Sequence, residues 1–155
     1  WHISNYLENN HKIVLVPLNK NEFSTIIADN YGIYGLTLKD SRMAMICYSN
    51  ECTETRQHFT IMHEIGHIRL GHLDEDIDKP DNYKESEANF YAAYSLAPPP
   101  MIDYYACANQ DDLCRTFHVS WEMSGYCLER YVKWLSCSPY YTEHETQLMS
   151  LFGAA

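Results

Sequence analysis

Hydrophobic and polar positions alternate over short stretches in the first third of the chain. The stretch KIVLVPL (12–18) is rich in β-branched residues and is closed by a proline and polar residues, which predicts a strand. Two further apolar stretches (32–40 and 41–50) are separated by the polar sequence KDSR and predict a β-hairpin. Longer segments with helical spacing follow. This order, strands and then helices, predicts an α+β fold.

The segments after residue 53 have the length and the apolar spacing of helices. Thr53 and Glu54 suit a helix start, and no proline interrupts the chain from there to about Gly71. Asp81 can cap a second helix, which the prolines at 98–100 must end. Two or three further helices are predicted in MIDYYACANQ, DDLCRTFHVS and WEMSGYCLERYVKWL.

Length and charge restrict the classes of function. A chain of 155 residues with 46% hydrophobic residues can bury one sizeable core. The net charge of -10 argues against a direct nucleic-acid partner, because surfaces that bind phosphates are basic. No window approaches the roughly 20 consecutive apolar residues of a membrane span, and the first residues, WHISNYLENN, lack the features of a signal peptide. We therefore expect neither nucleic acid nor a membrane as a partner.

The chain contains six cysteines. They form no CxxC pair, and most stand among apolar residues, where a free cysteine serves as a small core residue. This pattern favours reduced thiols over disulfides or a second metal site. Reduced thiols are typical of the cytoplasm, so a cytoplasmic location is expected.

The sequence FTIMHEIGHIRLGH (59–72) places imidazole and carboxylate groups in a mostly apolar helix, where they need partners. His63 and His67 lie one turn apart on the same face and can bind zinc through two nitrogens. Glu64 stands at the edge of this face, within reach of a metal-bound water. The arrangement is the H-E-x-x-H motif of metallopeptidases. Gly66, in mid-helix, predicts that another backbone or a substrate passes close by.

A catalytic zinc site needs a third protein ligand and an open position for water. Glu85 shares one face of the second predicted helix with Ala88 and Ala92, whose small side chains allow the first helix to approach. We assign Glu85 as the third ligand. Asn89, one turn later, is predicted to orient a ligand histidine through a hydrogen bond. Glu87 points to roughly the opposite side of the helix and remains the alternative ligand, and both glutamates could instead be solvated surface charges.

Three stretches occur together in this chain: RQHFTIMHEIGHIRLGH (56–72), ESEANFYAAYSLAPP (85–99) and FHVSWEMSGYCLERY (117–131). With the strand sequence GLTLKDSRMAMICYSN (35–50) they cover about residues 33–135. In this combination the chain resembles the ImmA/IrrE family of zinc metallopeptidases. The combination is far more specific than H-E-x-x-H alone.

The resemblance implies a zinc site in which His63, His67 and Glu85 are the metal ligands and Glu64 is the catalytic base. Family members encoded on phages and conjugative elements are associated with the cleavage of a partner repressor. The implied activity is therefore that of a zinc-dependent metalloendopeptidase, and the implied partner is a protein substrate such as a DNA-binding repressor.

The resemblance also implies a domain organisation. Residues 1–100 would form a zincin-like peptidase core with a small antiparallel or mixed sheet, the H-E-x-x-H helix and the glutamate-bearing helix. Residues 101–155 would form a C-terminal helical extension packed on that core. A single compact domain is expected.

Two other functions stay open. The segment 111–135 has the rhythm of a helix-turn-helix, but it carries more acidic than basic side chains and offers no phosphate-binding face. A catalytically inactive metal-binding module would bind zinc but would not hydrolyse peptide bonds. Glu64 argues against this module, because a structural site closes its fourth position with protein and has no use for a base.

Several other polar residues have candidate roles. The oxyanion that develops in peptide hydrolysis needs a donor besides the metal, and Tyr31, Tyr34 and His58 are candidates among several tyrosines. The hairpin could present an edge strand within residues 33–48 to an extended substrate. We interpret His72 as a helix-end histidine that points away from the two-histidine face.

Overall fold

The computed structural model describes residues 2–22, 34–74, 80–137 and 140–153. Its helices and small sheet confirm the predicted α+β class. The chain divides into two compact units, Trp1–Ala92 and Ala93–Ala155. The prediction of a single domain, with an extension that starts at residue 101, stays a prediction.

The following helices and strands belong to the first unit, the last helix continuing into the second. They are α1 (His2–His11), β1 (Ile13–Leu18), β2 (Gly35–Lys39), β3 (Ala44–Ser49), α2 (Glu54–Arg69) and α3 (Asp81–Leu96). The strands form a mixed sheet in the order β1-β3-β2. β1 runs parallel to β3, and β2 runs antiparallel to β3 as the predicted hairpin requires. Helix α1 was not predicted from the sequence.

The core of the first unit lies where α2 packs on the sheet. Ile46, on the central strand β3, is fully buried. Ile61 and Ile65, one turn apart on α2, pack against it. The cluster of buried residues is completed by Leu7, Ile13, Ala44 and Tyr48. The sheet thereby fixes the position of the helix that carries the H-E-x-x-H motif.

The end of α2 reverses the direction of the chain. The helix starts after Thr53, whose side chain accepts a hydrogen bond from the Arg56 amide, as expected for a cap. It ends at Arg69, and Gly71 follows with a φ of 71°, a left-handed conformation that favours glycine. The His72 amide then donates to the His67 carbonyl at 2.9 Å. His72 therefore does not continue the helical path.

The second unit is helical. After the last turn of α3 come α4 (Pro99–Tyr104), α5 (Gln110–Phe117), α6 (Trp121–Cys137) and α7 (Glu143–Leu151). The prolines end α3 as predicted, and Pro99 starts α4 because proline is tolerated in the first turn of a helix. The segments predicted as further helices are confirmed. Helix α7 was not predicted from the sequence, although its capping box, Thr142 with Glu145, is a readable start signal.

Glu145 is a buried carboxylate in the second unit, with 4% of its surface exposed. It accepts hydrogen bonds from the Tyr94 hydroxyl at 2.8 Å, from the Trp134 indole at 2.8 Å and from the Thr142 amide at 2.7 Å. Burial by itself would raise its pKa, but these bonds outweigh burial and lower it. Glu145 therefore connects three helix ends as an anion with three protein donors.

All six cysteines are free thiols, as the sequence pattern favoured. Cys127 is deeply buried, and burial raises its pKa to about 11, so it is an unreactive core residue. Within the described part of the chain, every helix is too short or too polar to cross a membrane.

Candidate metal centre

Two helices of the first unit bring three predicted ligands together. His63 and His67 on α2 approach each other through their Nε2 atoms at 3.0 Å. Glu85, on α3, places Oε2 at 3.2 Å from Nε2 of His63 and Oε1 at 3.3 Å from Nε2 of His67. Among the described residues these three form a group of candidate metal ligands, with all ligand atoms within 4.8 Å of one another.

The donor set fits a zinc ion. Zinc prefers imidazole nitrogen and carboxylate oxygen, and tetrahedral bonds of about 2.0–2.1 Å place neighbouring donors about 3.3 Å apart. The spacings of 3.0 to 3.3 Å agree with that value. Burial lowers the pKa of His67, and the neighbouring His63 lowers it further, which favours the neutral imidazole that binds metal.

Asn89 lies where the helical spacing predicted it. Its Oδ1 is 3.0 Å from Nδ1 of His63. An amide oxygen can only accept, so the His63 proton lies on Nδ1 and the Nε2 lone pair points at the ligand group. The spacing of Glu85 and Asn89, one helical turn, thus provides a ligand and an orienting group from a single helix face.

The prediction for His72 was wrong. This residue is buried, and its Nδ1 lies 3.1 Å from Nδ1 of His67. Its Nε2 lies 3.0 Å from Oε2 of Glu87, the glutamate considered as an alternative ligand. The prediction failed because it extended the helical wheel beyond Arg69, where the helix ends. The chain turns at Gly71, and this turn brings His72 into contact with His67.

The contacts at the Nδ1 atoms of His63 and His67 support a cation site between their Nε2 atoms. Nδ1 of His63 donates to Asn89, and Nδ1 of His67 faces His72. The proton of His63 on Nδ1 leaves a lone pair on its Nε2, which faces Nε2 of His67 at 3.0 Å beside the Glu85 carboxylate. A cation bound between them satisfies all three groups at once.

Glu64 is next to the ligand group and is partly buried. Its Oε2 accepts a hydrogen bond from the Thr37 hydroxyl at 2.7 Å. Burial raises its pKa, while the bond from Thr37 opposes the shift. Thr37 was not predicted as a site residue, because an alternating strand residue carries no signal that it will face the carboxylate of Glu64.

Two glycines permit the close approach of the elements around the site. A Cβ on Gly66 would lie 3.2 Å from the Cβ of Tyr91 and 3.3 Å from the Cα of Ala88, so α3 passes directly over it as predicted. A Cβ on Gly35 would collide with the methyl group of Thr60 and lie 3.1 Å from Oε1 of Glu64. The backbone of β2 therefore lies directly beside the candidate base.

An open cleft of about 560 Å³ runs along this site. One wall is the start of β2, and Tyr34 stacks there under the Arg56 guanidinium at 4.4 Å. Of the candidate oxyanion donors, Tyr34 lines the cleft, His58 is not among the residues that line it, and Tyr31 lies outside the described residues. The cleft is lined on its floor by His63, Glu64, His67, Glu85 and Asn89.

Comparison with known proteins gives a family and a related fold. The profile of the IrrE N-terminal-like domain family, Peptidase_M78, matches residues 19–129. No curated protein sequence gives a significant match. A solved structure described as a Mycobacterium tuberculosis transcriptional regulator shares the fold, with a TM-score of 0.58 and 15% identity. The similarity covers 83% of this chain and 47% of that one, so the chain spans about half the length of that regulator.

Proposed function

Because this chain belongs to the IrrE N-terminal-like domain family, Peptidase_M78, we propose that it is a zinc-dependent metalloendopeptidase that hydrolyses a peptide bond in a partner protein. The observation that carries the proposal is the convergence of His63, His67 and Glu85 beside a fourth group, Glu64, at the floor of an open cleft. A structural zinc site would be closed by protein and would not need that carboxylate.

His63, His67 and Glu85 would hold the zinc, in a zincin-like arrangement. Zinc at this position supplies Lewis acidity, which lowers the pKa of water to about 7 and polarises a peptide carbonyl. Glu64 acts as the general base: it accepts the proton of the attacking water and returns it to the departing amine. Asn89 keeps the His63 ring in place through the reaction.

Thr37 and Gly35 determine which oxygen of Glu64 takes the proton. Oε2 is occupied by the Thr37 hydroxyl at 2.7 Å. Oε1 lies beside Gly35, which has no side chain that could cover this oxygen. We therefore assign proton transfer to Oε1, with Thr37 as a positioning residue.

The substrate backbone would lie along β2. Among the described strands β2 pairs only with β3, so its other edge is available to an extended peptide by β-augmentation. Gly35, Leu36 and Thr37 of this strand also line the cleft. A complex with a substrate mimic that showed no main-chain pairing to residues 33–48 would contradict this binding mode.

The identity of the substrate is proposed from the resemblance to the ImmA/IrrE peptidases. On that ground we propose a DNA-binding repressor of a phage or other mobile element as the partner, cleaved in the cytoplasm. The acidic charge of -10 makes direct binding of this chain to DNA unfavourable, so the contact is with the repressor protein.

The test combines metal content with hydrolysis. Wild type, Glu64→Gln and His63→Ala are analysed for zinc and incubated with a peptide library and with a repressor encoded beside the gene. We expect roughly one zinc per chain in wild type and Glu64→Gln and a loss in His63→Ala. Cleavage should fall at least about 100-fold in Glu64→Gln. Wild type without zinc would contradict the metal site, and zinc without any cleavage would contradict the peptidase.

A further inference from the structure

The two candidate ligand histidines are oriented by different groups. Nδ1 of His63 meets one acceptor, the exposed amide of Asn89. Nδ1 of His67 meets a second imidazole, His72, whose side chain is completely buried. Behind His72 stands Glu87, with 30% of its side chain exposed. The second chain of contacts is longer, and it ends in a charged group.

The protons in this chain of contacts can be assigned without conflict. A ligand nitrogen at Nε2 of His67 requires the proton on Nδ1. That N–H donates to Nδ1 of His72, so the His72 proton lies on Nε2. Nε2–H of His72 then donates to Oε2 of Glu87 at 3.0 Å. In this assignment each of the four ring nitrogens has one role, as a donor, an acceptor or a metal ligand.

We propose that His72 and Glu87 are positioning residues that hold His67 in its metal-binding tautomer and orientation, so that they increase the affinity of the site for zinc. This inference rests on the proposed function, since it assigns groups behind one of its ligands. Metal-bound imidazoles gain affinity when the other nitrogen donates to a carboxylate. Here the His72 imidazole lies between the Glu87 carboxylate and His67 and connects them by hydrogen bonds.

The local backbone supports the assignment. Gly71, at a φ of 71°, turns the chain after α2, and the His72 amide donates to the carbonyl of His67 at 2.9 Å. The two histidines are therefore linked through both backbone and side chain. Ring centroids 5.1 Å apart at 74° fix an edge-to-face arrangement.

The experiment measures zinc affinity with Zn²⁺ alone, by competition with a chromophoric chelator, and the absorption spectrum of the Co²⁺-substituted protein. His72→Leu removes the acceptor at Nδ1 of His67, and we expect zinc affinity to fall about 10- to 100-fold with a changed Co²⁺ spectrum. His72→Gln restores an acceptor oxygen and should recover most of the affinity. Glu87→Gln should lower affinity by less than His72→Leu, because it removes only the charge.

The controls separate this inference from the proposed function. Glu54→Gln removes an exposed carboxylate at the start of α2 and should leave affinity unchanged. If wild type binds no zinc, the proposed function fails. Circular dichroism checks that His72→Leu is folded. If folded His72→Leu and Glu87→Gln both bind zinc as tightly as wild type, with the same Co²⁺ spectrum, this inference is overturned. The proposed function then stands. If His72→Leu does not fold, Glu87→Gln decides the question, and a wild-type zinc affinity with a wild-type Co²⁺ spectrum in that variant overturns the inference.

Discussion

Glu145 of the second unit is buried and Glu64 of the first unit is partly buried, and the two carboxylates are bonded very differently. Glu145 accepts hydrogen bonds from a hydroxyl, an indole and a backbone amide, all at 2.7 or 2.8 Å. Glu64, which lines the cleft, has one protein donor in the described contacts, the Thr37 hydroxyl, and its other oxygen lies beside Gly35. The pKa of Glu145 is lowered and that of Glu64 is raised.

This difference distinguishes a carboxylate with a structural role from one that can act as a base. Burial disfavours the ionised form of both groups, and only a full set of donors reverses that effect. A carboxylate whose two oxygens both accept hydrogen bonds from protein donors, as those of Glu145 do, is stabilised as the anion and is a poor acceptor for a proton from water. A carboxylate with one free oxygen and a raised pKa can accept that proton, which is the property required of a general base.

The largest effect expected is on stability, from the removal of Glu145. Glu145→Ala leaves the Tyr94 hydroxyl, the Trp134 indole and the Thr142 amide without their acceptor. We expect the free energy of unfolding to fall by about 2–4 kcal/mol, measured by urea denaturation.

Two controls test whether the bonding pattern causes this loss. Glu143→Ala removes an exposed acid from the first turn of the same helix and should cost only about 0.5 kcal/mol. Glu64→Gln should not lower stability at neutral pH, because a raised pKa means that folding disfavours the ionised form. Equal losses at Glu64 and Glu145 would remove the distinction between them.

A smaller effect is expected when Glu64 loses its only described donor. Thr37→Val keeps the β-branched shape suited to a strand but removes the hydroxyl, so the pKa of Glu64 should rise further. The acidic limb of the kcat/KM profile for peptide cleavage should move to higher pH, with a loss of about 3- to 10-fold near pH 6. Thr37→Ser keeps the hydroxyl and should retain the wild-type profile. An unshifted limb in Thr37→Val would show that the bond does not tune Glu64.

The smallest effect is the pH dependence of stability that Glu145 contributes. Its pKa is lower in the folded state, so its contribution is complete above the ordinary carboxyl range near about 4.3 and is lost as pH falls through the folded value. The stability difference between wild type and Glu145→Gln should therefore shrink between pH 7 and pH 3, as followed by urea midpoints. Parallel curves for the two proteins would contradict the lowered pKa.

The amino-acid sequence by itself determined the parts of the site that depend on one helical turn. His63 and His67 share a face because they are four residues apart, and the same spacing relates Glu85 to Asn89. Gly66 indicated the close passage of another element for an equally local reason, since glycine is costly in mid-helix. The α+β class and the hairpin also followed from periodicity alone.

Only the tertiary structure decided which groups surround those ligands. Thr37 reaches Glu64 across 27 positions of sequence because β2 packs against α2. His72 reaches His67 because the chain leaves the helical path at Gly71, where a helical wheel no longer applies. Glu145 accepts hydrogen bonds from residues of separate helices. Helical and strand periods are properties of neighbouring residues, whereas these contacts depend on how elements pack and turn, which no local period encodes.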